Sequence, residues 1–127
     1  MDIRTHHSIA PHLCGTPRIV EHERAEVLLI TSDVMVADER GLVHGGFVFG
    51  AVDYAAMLAV NDPNVVLGGA DVRFLAPVRL GDEVVATAEV SGPPGKKRIV
   101  EVSATVAGKP VLSGRLTCFV LDKHVLD

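Results

Sequence analysis

The chain has 127 residues, of which 48% are hydrophobic and 22% charged, and its formal net charge is −4. A chain of this length forms one domain that can bury a core without a metal or a disulfide framework. The acidic balance argues against a nucleic-acid partner and against attraction to anionic membrane surfaces.

The cysteines and the first residues indicate the compartment. Cys14 and Cys118 lack the CxxC spacing of a redox or zinc motif, and two thiols make no disulfide framework. The opening "MDIRTHHSIAPHL" has no apolar segment typical of a signal peptide. The longest apolar run, residues 47–60, is interrupted by Asp53 and is too short to span a membrane. We therefore expect a cytoplasmic protein without a membrane partner.

In chain order, the first half predicts one strand and one helix. Residues 1–16 read as an irregular segment, with a short helical turn before Cys14, and the second half of residues 18–31 reads as a strand. After a loop that contains glycines, Ala, Met and Leu favour a helix over residues 46–61, which Pro63 stops. Because this helix has no polar face, other elements must cover most of its sides.

The second half predicts a sheet. Alternating apolar residues and short turns such as "RLGD" and "AGKP" indicate strands at residues 65–78, 82–91, 97–107 and 109–122. Consecutive strands joined by short turns pair antiparallel. The fold class is therefore α+β, a single domain over residues 1–127 in which one long central helix is wrapped by a curved antiparallel sheet of five to six strands.

Two motifs carry a resemblance to a known family. His44-Gly45-Gly46 is followed after six residues by Asp53, and "FLAPVRLGD" runs from Phe74 to Asp82. Together they resemble the hotdog-fold acyl-CoA thioesterases, particularly the PaaI-like branch, over residues 25–121. The resemblance implies a homodimer joined sheet edge to sheet edge, a further pairing of dimers into tetramers, and acyl-CoA sites at the dimer interface. Coenzyme A would be part of the substrate, and no separate cofactor is expected.

Thioester hydrolysis needs a group that polarises the carbonyl and a group that activates water. The free N–H groups at a helix start do the first, so we assign the Gly45 amide, with Gly46 as the alternative, to the carbonyl oxygen. The resemblance implies that Asp53 is the general base or the nucleophile, contributed by the opposite protomer. In the alternative reading, Asp53 is structural and hydrogen-bonds Tyr54, Asn61 or a loop amide.

Two residues before the helix have open roles. His44 could be a base or a positioning group, but we favour an imidazole that braces the loop through hydrogen bonds to the backbone. Asp38 stands six residues before His44, where the family usually has Asn or Gln. Asp38 either places a second carboxylate at the site, which would raise one pKa by like-charge repulsion, or points to solvent.

Substrate contacts are predicted in two groups. Residues on the helix and the following strand would shape the acyl pocket: Phe47, Tyr54, Leu67 and Gly68. Lys96, Lys97 and Arg98 would meet the coenzyme A phosphates, unless they form a solvated hairpin tip. The histidines near Cys14 match no zinc spacing, so no metal site is expected, and Cys118 reads as a core residue.

Two other functions remain in view. A non-catalytic acyl-CoA sensor would resemble the ligand-binding half of FapR-type regulators, but this sequence shows no DNA-binding segment and retains Asp53. A hydratase-dehydratase of the same fold usually pairs Asp with His, and no histidine lies between residues 44 and 124.

Overall fold

The computed structural model describes residues 1–127 as one antiparallel sheet wrapped around a long helix. The elements are α1 (Pro11–Cys14), β1 (Thr16–Glu21), β2 (Arg24–Ile30), a 3₁₀ turn (Asp33–Met35), α2 (Gly45–Val60), β3 (Val65–Phe74), β4 (Glu83–Ser91), β5 (Lys97–Val106) and β6 (Lys109–Val120). The strands follow the order β1-β2-β4-β5-β6-β3, and all neighbours are antiparallel. The predicted α+β class and the single long helix are confirmed.

The first strand prediction was incomplete. The strand in the second half of residues 18–31 is β2, but β1 precedes it and forms a hairpin with it. The hairpin turns at His22 and Glu23, and Glu23 adopts a left-handed conformation with φ 60°. Pro17 is tolerated because β1 is an edge strand, where a missing N–H costs no ladder bond.

The strand predicted at residues 65–78 is too long. β3 ends at Phe74, after which the chain leaves the sheet and the Leu75 N–H donates to the Val111 carbonyl at 2.8 Å. Val78 then returns to the core. The remaining element ends lie within two residues of their predicted positions.

Helix α2 packs chiefly on β2 and β4, and its second side is covered by residues 1–15, which we call the N-terminal strap. The strap is fastened to the end of α2 by Asn61, whose side-chain oxygen accepts from the Arg4 N–H and whose amide nitrogen donates to the Asp2 carbonyl, both at 2.8 Å. Asn61 caps the helix in the left-handed conformation. The apolar helix is thus covered on two sides, as its sequence required. No helix is long and apolar enough to cross a membrane.

One stripe of α2 remains partly open. Gly46, Phe49, Gly50 and Asp53 recur at helical spacing and are not fully buried, unlike most residues of the helix. The strand β3 also has a free side, since it forms one edge of the sheet.

Candidate functional site

The start of α2 is held rigidly by its loop. The His44 N–H donates to the Met35 carbonyl at 2.9 Å, and the Val43 N–H donates to the Val78 carbonyl at 2.8 Å. Gly45 and Gly46 therefore occupy the first two helical positions, where N–H groups have no acceptor within the helix. This end of α2 therefore has free N–H groups, which are the kind of donor that a carbonyl oxygen accepts from.

Gly45 opens onto an apolar groove of about 420 Å³. A methyl group on Gly45 would lie 3.2 Å from Cε1 of Phe74, so glycine allows the backbone and that ring to approach closely. The other lining residues are mostly apolar: Leu42, Val43, Val48, Leu75, Ala76, Pro77, Val78 and Val111. Sequence reasoning missed this groove, although half of its ten lining residues come from the "FLAPV" part of the second motif.

Asp53 lies in the middle of α2 with its Oδ1 buried and without a hydrogen-bond partner. Burial raises its pKa from the ordinary 3.8 to about 6. The alternative structural role would require a bond to Tyr54, Asn61 or a loop amide. The buried Oδ1 has no such bond, and the Asn61 side chain is engaged with the strap. A buried carboxylate oxygen without a partner is costly, so its retention points to a task outside the folding of this chain.

The surroundings of Asp53 include two thiols. Burial raises the pKa of Cys118 to about 12, and the charge of Asp53 adds to that rise. Burial also raises the pKa of the partly buried Cys14, again with a contribution from Asp53. Both thiols therefore stay protonated and uncharged, so neither supplies a positive partner that would lower the pKa of the carboxyl.

Gly45 and Asp53 are too far apart to act on one carbon within a single chain. Eight residues of α-helix separate them, which is about 12 Å along the axis. A donor and a base that share one thioester must both lie within hydrogen-bond reach of it. The two groups can cooperate only if they come from different protomers.

Asp38 organises its own loop instead of joining Asp53. Its Oδ1 accepts from the Arg40 N–H at 2.9 Å and from the Leu42 N–H at 3.2 Å, and the residue is exposed. It caps the tip of the short hairpin closed by the bridge between Val36 and Val43. In the single chain Asp38 points to solvent, which is the second of its two predicted roles.

His44 is exposed, and its ring makes no hydrogen bond within the chain. The ring lies edge-on to Phe47 at 6.3 Å between centroids. The loop is braced by backbone bonds, so the expected bracing by the imidazole is not what holds it. The ring stands beside the two glycines, where it can contact a bound molecule.

The predicted acyl-pocket residues divide between core and surface. Tyr54 is buried beneath the strap, with its ring 6.3 Å from that of His6, and so does not line an open pocket. Phe47 and Leu67 are partly buried at the margin of the core. Gly68 is exposed at a bulge in β3, and a side chain there would collide with the Phe119 ring.

The basic residues lie at the far end of the sheet from Gly45. Lys97 pairs with Phe119 near the end of β6, whereas Gly45 contacts Phe74 at the opposite end of β3. Lys96 forms an exposed ion pair with Asp122 at 2.9 Å, and Arg98 donates to the carbonyl of Gly95. Within one chain these residues and the helix start do not form a common site.

Metal binding has no candidate position. No group of three His, Cys, Asp or Glu side chains lies close enough to hold an ion, and the histidines near Cys14 are not gathered. The chemical groups of the site are the free N–H groups at the start of α2, the carboxyl group of Asp53 with its raised pKa, and the apolar groove.

Comparison with known sequences places this arrangement in a family. Residues 39–114 match the profile of the MaoC like domain. A methylthioribose-1-phosphate isomerase of Aquifex aeolicus is 53% identical over 96% of this chain and 27% of the relative. The transcription factor FapR of Caldanaerobacter subterraneus is 29% identical over 72% of this chain and 46% of the regulator. An (R)-specific enoyl-CoA hydratase of Rhodospirillum rubrum is 33% identical over 62% and 56%. The chain thus spans about a quarter to about half of the length of these relatives.

Solved structures agree on the fold. An uncharacterized protein from Pyrococcus horikoshii is 53% identical with a TM-score of 0.98, over 100% of this chain and 98% of the other. A sigma28-regulated virulence protein from Campylobacter jejuni is 30% identical with a TM-score of 0.92, over 94% and 85%. The PaaI protein from the phenylacetic acid degradation operon of E. coli is 22% identical with a TM-score of 0.80, over 88% and 83%, which shows the fold alone. The chain belongs to the MaoC-like domain family and has the hotdog fold.

Proposed function

We propose that this protein hydrolyses acyl-CoA thioesters to a carboxylic acid and free coenzyme A, in the manner of the PaaI-like branch of the fold. The observation that carries the proposal is the buried, unpartnered Oδ1 of Asp53 in an otherwise apolar helix. A carboxyl group whose pKa is about 6 is ionised at neutral pH and is a stronger base than an ordinary aspartate. It is suited to remove a proton from water.

In the proposed reaction, Asp53 activates water and the start of α2 stabilises the charge on the carbonyl oxygen. Asp53 takes a proton from a water molecule, whose oxygen attacks the thioester carbon. The N–H groups of Gly45 and Gly46 stabilise the negative charge that develops on the carbonyl oxygen, a contribution of ~2.7–4 kcal/mol per donor in comparable sites. The carbon–sulfur bond then breaks, and the protonated Asp53 returns its proton to the departing thiolate.

A homodimer supplies the two groups from different chains. The sheet edge β1 contains Pro17, whereas β3 offers ten residues without proline or lysine. Antiparallel pairing of β3 with its copy sets the Phe74 end of one chain beside the Val65 end of the other. Since Gly45 contacts Phe74, this pairing turns the helix start of one protomer toward the open stripe of its partner's α2. A pairing of such dimers remains an expectation from the resemblance.

The same pairing changes the role of the basic residues. Lys96, Lys97 and Arg98 lie near the start of β3, which is the end that faces the partner's Gly45. A substrate held at the helix start of one chain would then extend its phosphates toward the basic turn of the other. The (R)-specific enoyl-CoA hydratase relative and the coenzyme A complex of a hypothetical thioesterase from Streptococcus pneumoniae with the same fold support a coenzyme A ester as the ligand. A cytoplasmic location is proposed with it.

The second candidate is a binding module that senses acyl-CoA without hydrolysing it. It is favoured by the match to FapR, a transcription factor, over 72% of this chain. The match to part of an isomerase likewise suggests a domain that can be joined to other functions. Against it stands the unpartnered carboxylate, because a pure binding site gains nothing from a buried negative charge close to an anionic ligand.

Hydration of an enoyl-CoA is less well supported, despite the hydratase relative. Adding water across a double bond needs a base for the water and an acid for the neighbouring carbon. The structure brings no histidine to Asp53; the titratable groups around it are the thiols of Cys14 and Cys118. A single titrating carboxyl suits a hydrolysis, in which one group can accept and then return the proton.

The test is thioester cleavage by the purified chain and by Asp53→Asn, followed as loss of thioester absorbance over acyl-CoAs of different length. We expect the substitution to lower kcat by about 10²–10⁴-fold, as for a general base, with binding of the same esters retained in calorimetry. Binding without cleavage by the wild-type chain would favour the sensor instead. Cleavage that is equal in both proteins would remove Asp53 from the mechanism.

A further inference from the structure

The N-terminal strap follows one face of α2 from its end toward its middle. Residues 2–4 are fastened at Asn61, and the His6 ring lies against Tyr54 two turns earlier. Tyr54, Leu58 and Asn61 share this face of the helix, and all three are buried. The strap is therefore a cover for the helix face that adjoins Asp53.

The last part of the strap is α1, which contacts both α2 and β2. It can lie this close because Gly15, with φ 100°, follows α1; a side chain there would lie 2.9 Å from the carbonyl oxygen of Leu28. The Cys14 thiol, at the end of α1, is near enough to respond to the charge of Asp53. One wall beside the carboxylate thus belongs to the strap, and Cys118 on β6 belongs to the other.

We propose that Asn61 is a positioning residue for Asp53: by fastening the strap along α2 it closes one side of the carboxylate's cleft to water and leaves the open stripe as the route of approach. This inference rests on the proposed function in one respect only, namely that the closed cleft helps Asp53 to act as a base. The closure itself is a property of the folded chain and can be measured without any substrate.

The groups that face Asp53 determine the direction in which its pKa changes when the strap loosens. They are the thiols of Cys14 and Cys118. The phenol of Tyr54 and the His6 ring belong to the covering layer, where they lie against each other. Burial lowers the pKa of His6, so this ring is neutral in the closed strap at neutral pH. None of these groups carries a positive charge there, so water is the main agent that would lower the pKa of Asp53 when the strap loosens.

The test substitution is Asn61→Gly. Asn61 has φ 53°, a left-handed conformation that glycine adopts without strain, so the helix end is kept while both side-chain bonds to the strap are lost. The matched control is His7→Ala, because His7 is an exposed strap residue without a hydrogen bond. The Asp53 carboxyl carbon is followed by NMR titration, and its signal is identified by its loss in Asp53→Asn.

We expect Asn61→Gly to lower the pKa of Asp53 by at least about 0.5 unit, because water reaches the carboxylate. The Arg4 amide should exchange with solvent about fivefold faster or more, as expected for loss of a bond worth roughly 1 kcal/mol. His7→Ala should change neither. An unchanged Asp53 titration, or an Arg4 amide that exchanges as in the wild type, would overturn the proposal. If no acyl-CoA is cleaved by any variant but the shift is seen, the proposed function fails and the positioning role stands.

Discussion

Replacing Asp53 with Asn should stabilise the protein while it lowers kcat by about 10²–10⁴-fold. Burial raises the pKa of Asp53 from 3.8 to about 6, and at about 1.36 kcal/mol per unit this corresponds to about 3 kcal/mol spent on holding the charged form in the fold. The Asn amide still lacks a partner for its buried oxygen. We therefore expect a net gain of about 1–2 kcal/mol at pH 8.

The sign of the pH dependence follows from the same shift. The folded pKa lies above the unfolded one, so between pH 3.8 and about 6 the folded state binds more protons, and its stability falls as the pH rises through this window. In Asp53→Asn this fall is absent. The difference between the two proteins should be largest above pH 7 and should fall by about 3 kcal/mol toward pH 3.5, so that the variant loses its advantage and becomes slightly the less stable protein.

Urea unfolding at pH 8 and at pH 4 measures both quantities. The two proteins are compared at one concentration, because assembly shifts apparent stability. A variant that is less stable than the wild type at pH 8 would mean that Asp53 has a stabilising partner, most simply in the assembled protein. A gain that is the same at both pH values would mean that ionisation of Asp53 is not its cause.

Three further predictions follow from particular contacts. Gly45→Ala should lower kcat/KM at least about tenfold, because the new methyl, 3.2 Å from Phe74 Cε1, narrows the approach to the amide. Its urea midpoint should barely move, since Phe74 is 57% exposed and can shift; an unchanged kcat/KM would remove Gly45 from the site. Asp38→Ala should destabilise by about 1 kcal/mol in urea unfolding through loss of the two amide bonds, whereas Asp38→Asn keeps an acceptor oxygen and should be near neutral. A large loss of kcat in Asp38→Asn would instead place the carboxylate in catalysis. Finally, Ellman's reagent at pH 8 should label Cys14 before Cys118, because Cys118 is fully buried and its pKa is raised to about 12; equal labelling rates in the folded protein would contradict its burial.

The elements with a strong local signal were predictable. Helix α2 was placed within one residue, because an Ala- and Met-rich run ends at Asn61 and Pro63 permits no continuation. The strands β4 and β5 alternate clearly between apolar and polar residues. The strand β1 was missed because Pro17 and mixed charges give it no such alternation, and only pairing with β2 makes it a strand.

The site was predictable only in part, because its chemistry depends on the lack of a hydrogen-bond partner for Asp53. The sequence marks Asp53 as a charge in an apolar helix, but whether a partner satisfies it depends on every other side chain in the fold. The strap illustrates the same limit: residues 1–16 have no periodicity, and their order comes from Asn61, nearly sixty residues away. The basic turn could be found in the sequence, but the end of the sheet on which it lies could not.

The placement of the covering elements accounts for both the burial and the accessibility of Asp53. The sheet covers one side of α2 and the strap covers the face of Tyr54, Leu58 and Asn61, so the stripe that includes Gly50 and Asp53 is what remains. Had the strap crossed this stripe, the carboxylate would be sealed; had it been absent, water would return the pKa toward 3.8. A helix that is apolar on every side must also be covered on its third side. In the proposed dimer the partner protomer covers that side, and it brings the start of its own α2 with it. The carboxylate is then buried by the same surface that delivers the substrate to it.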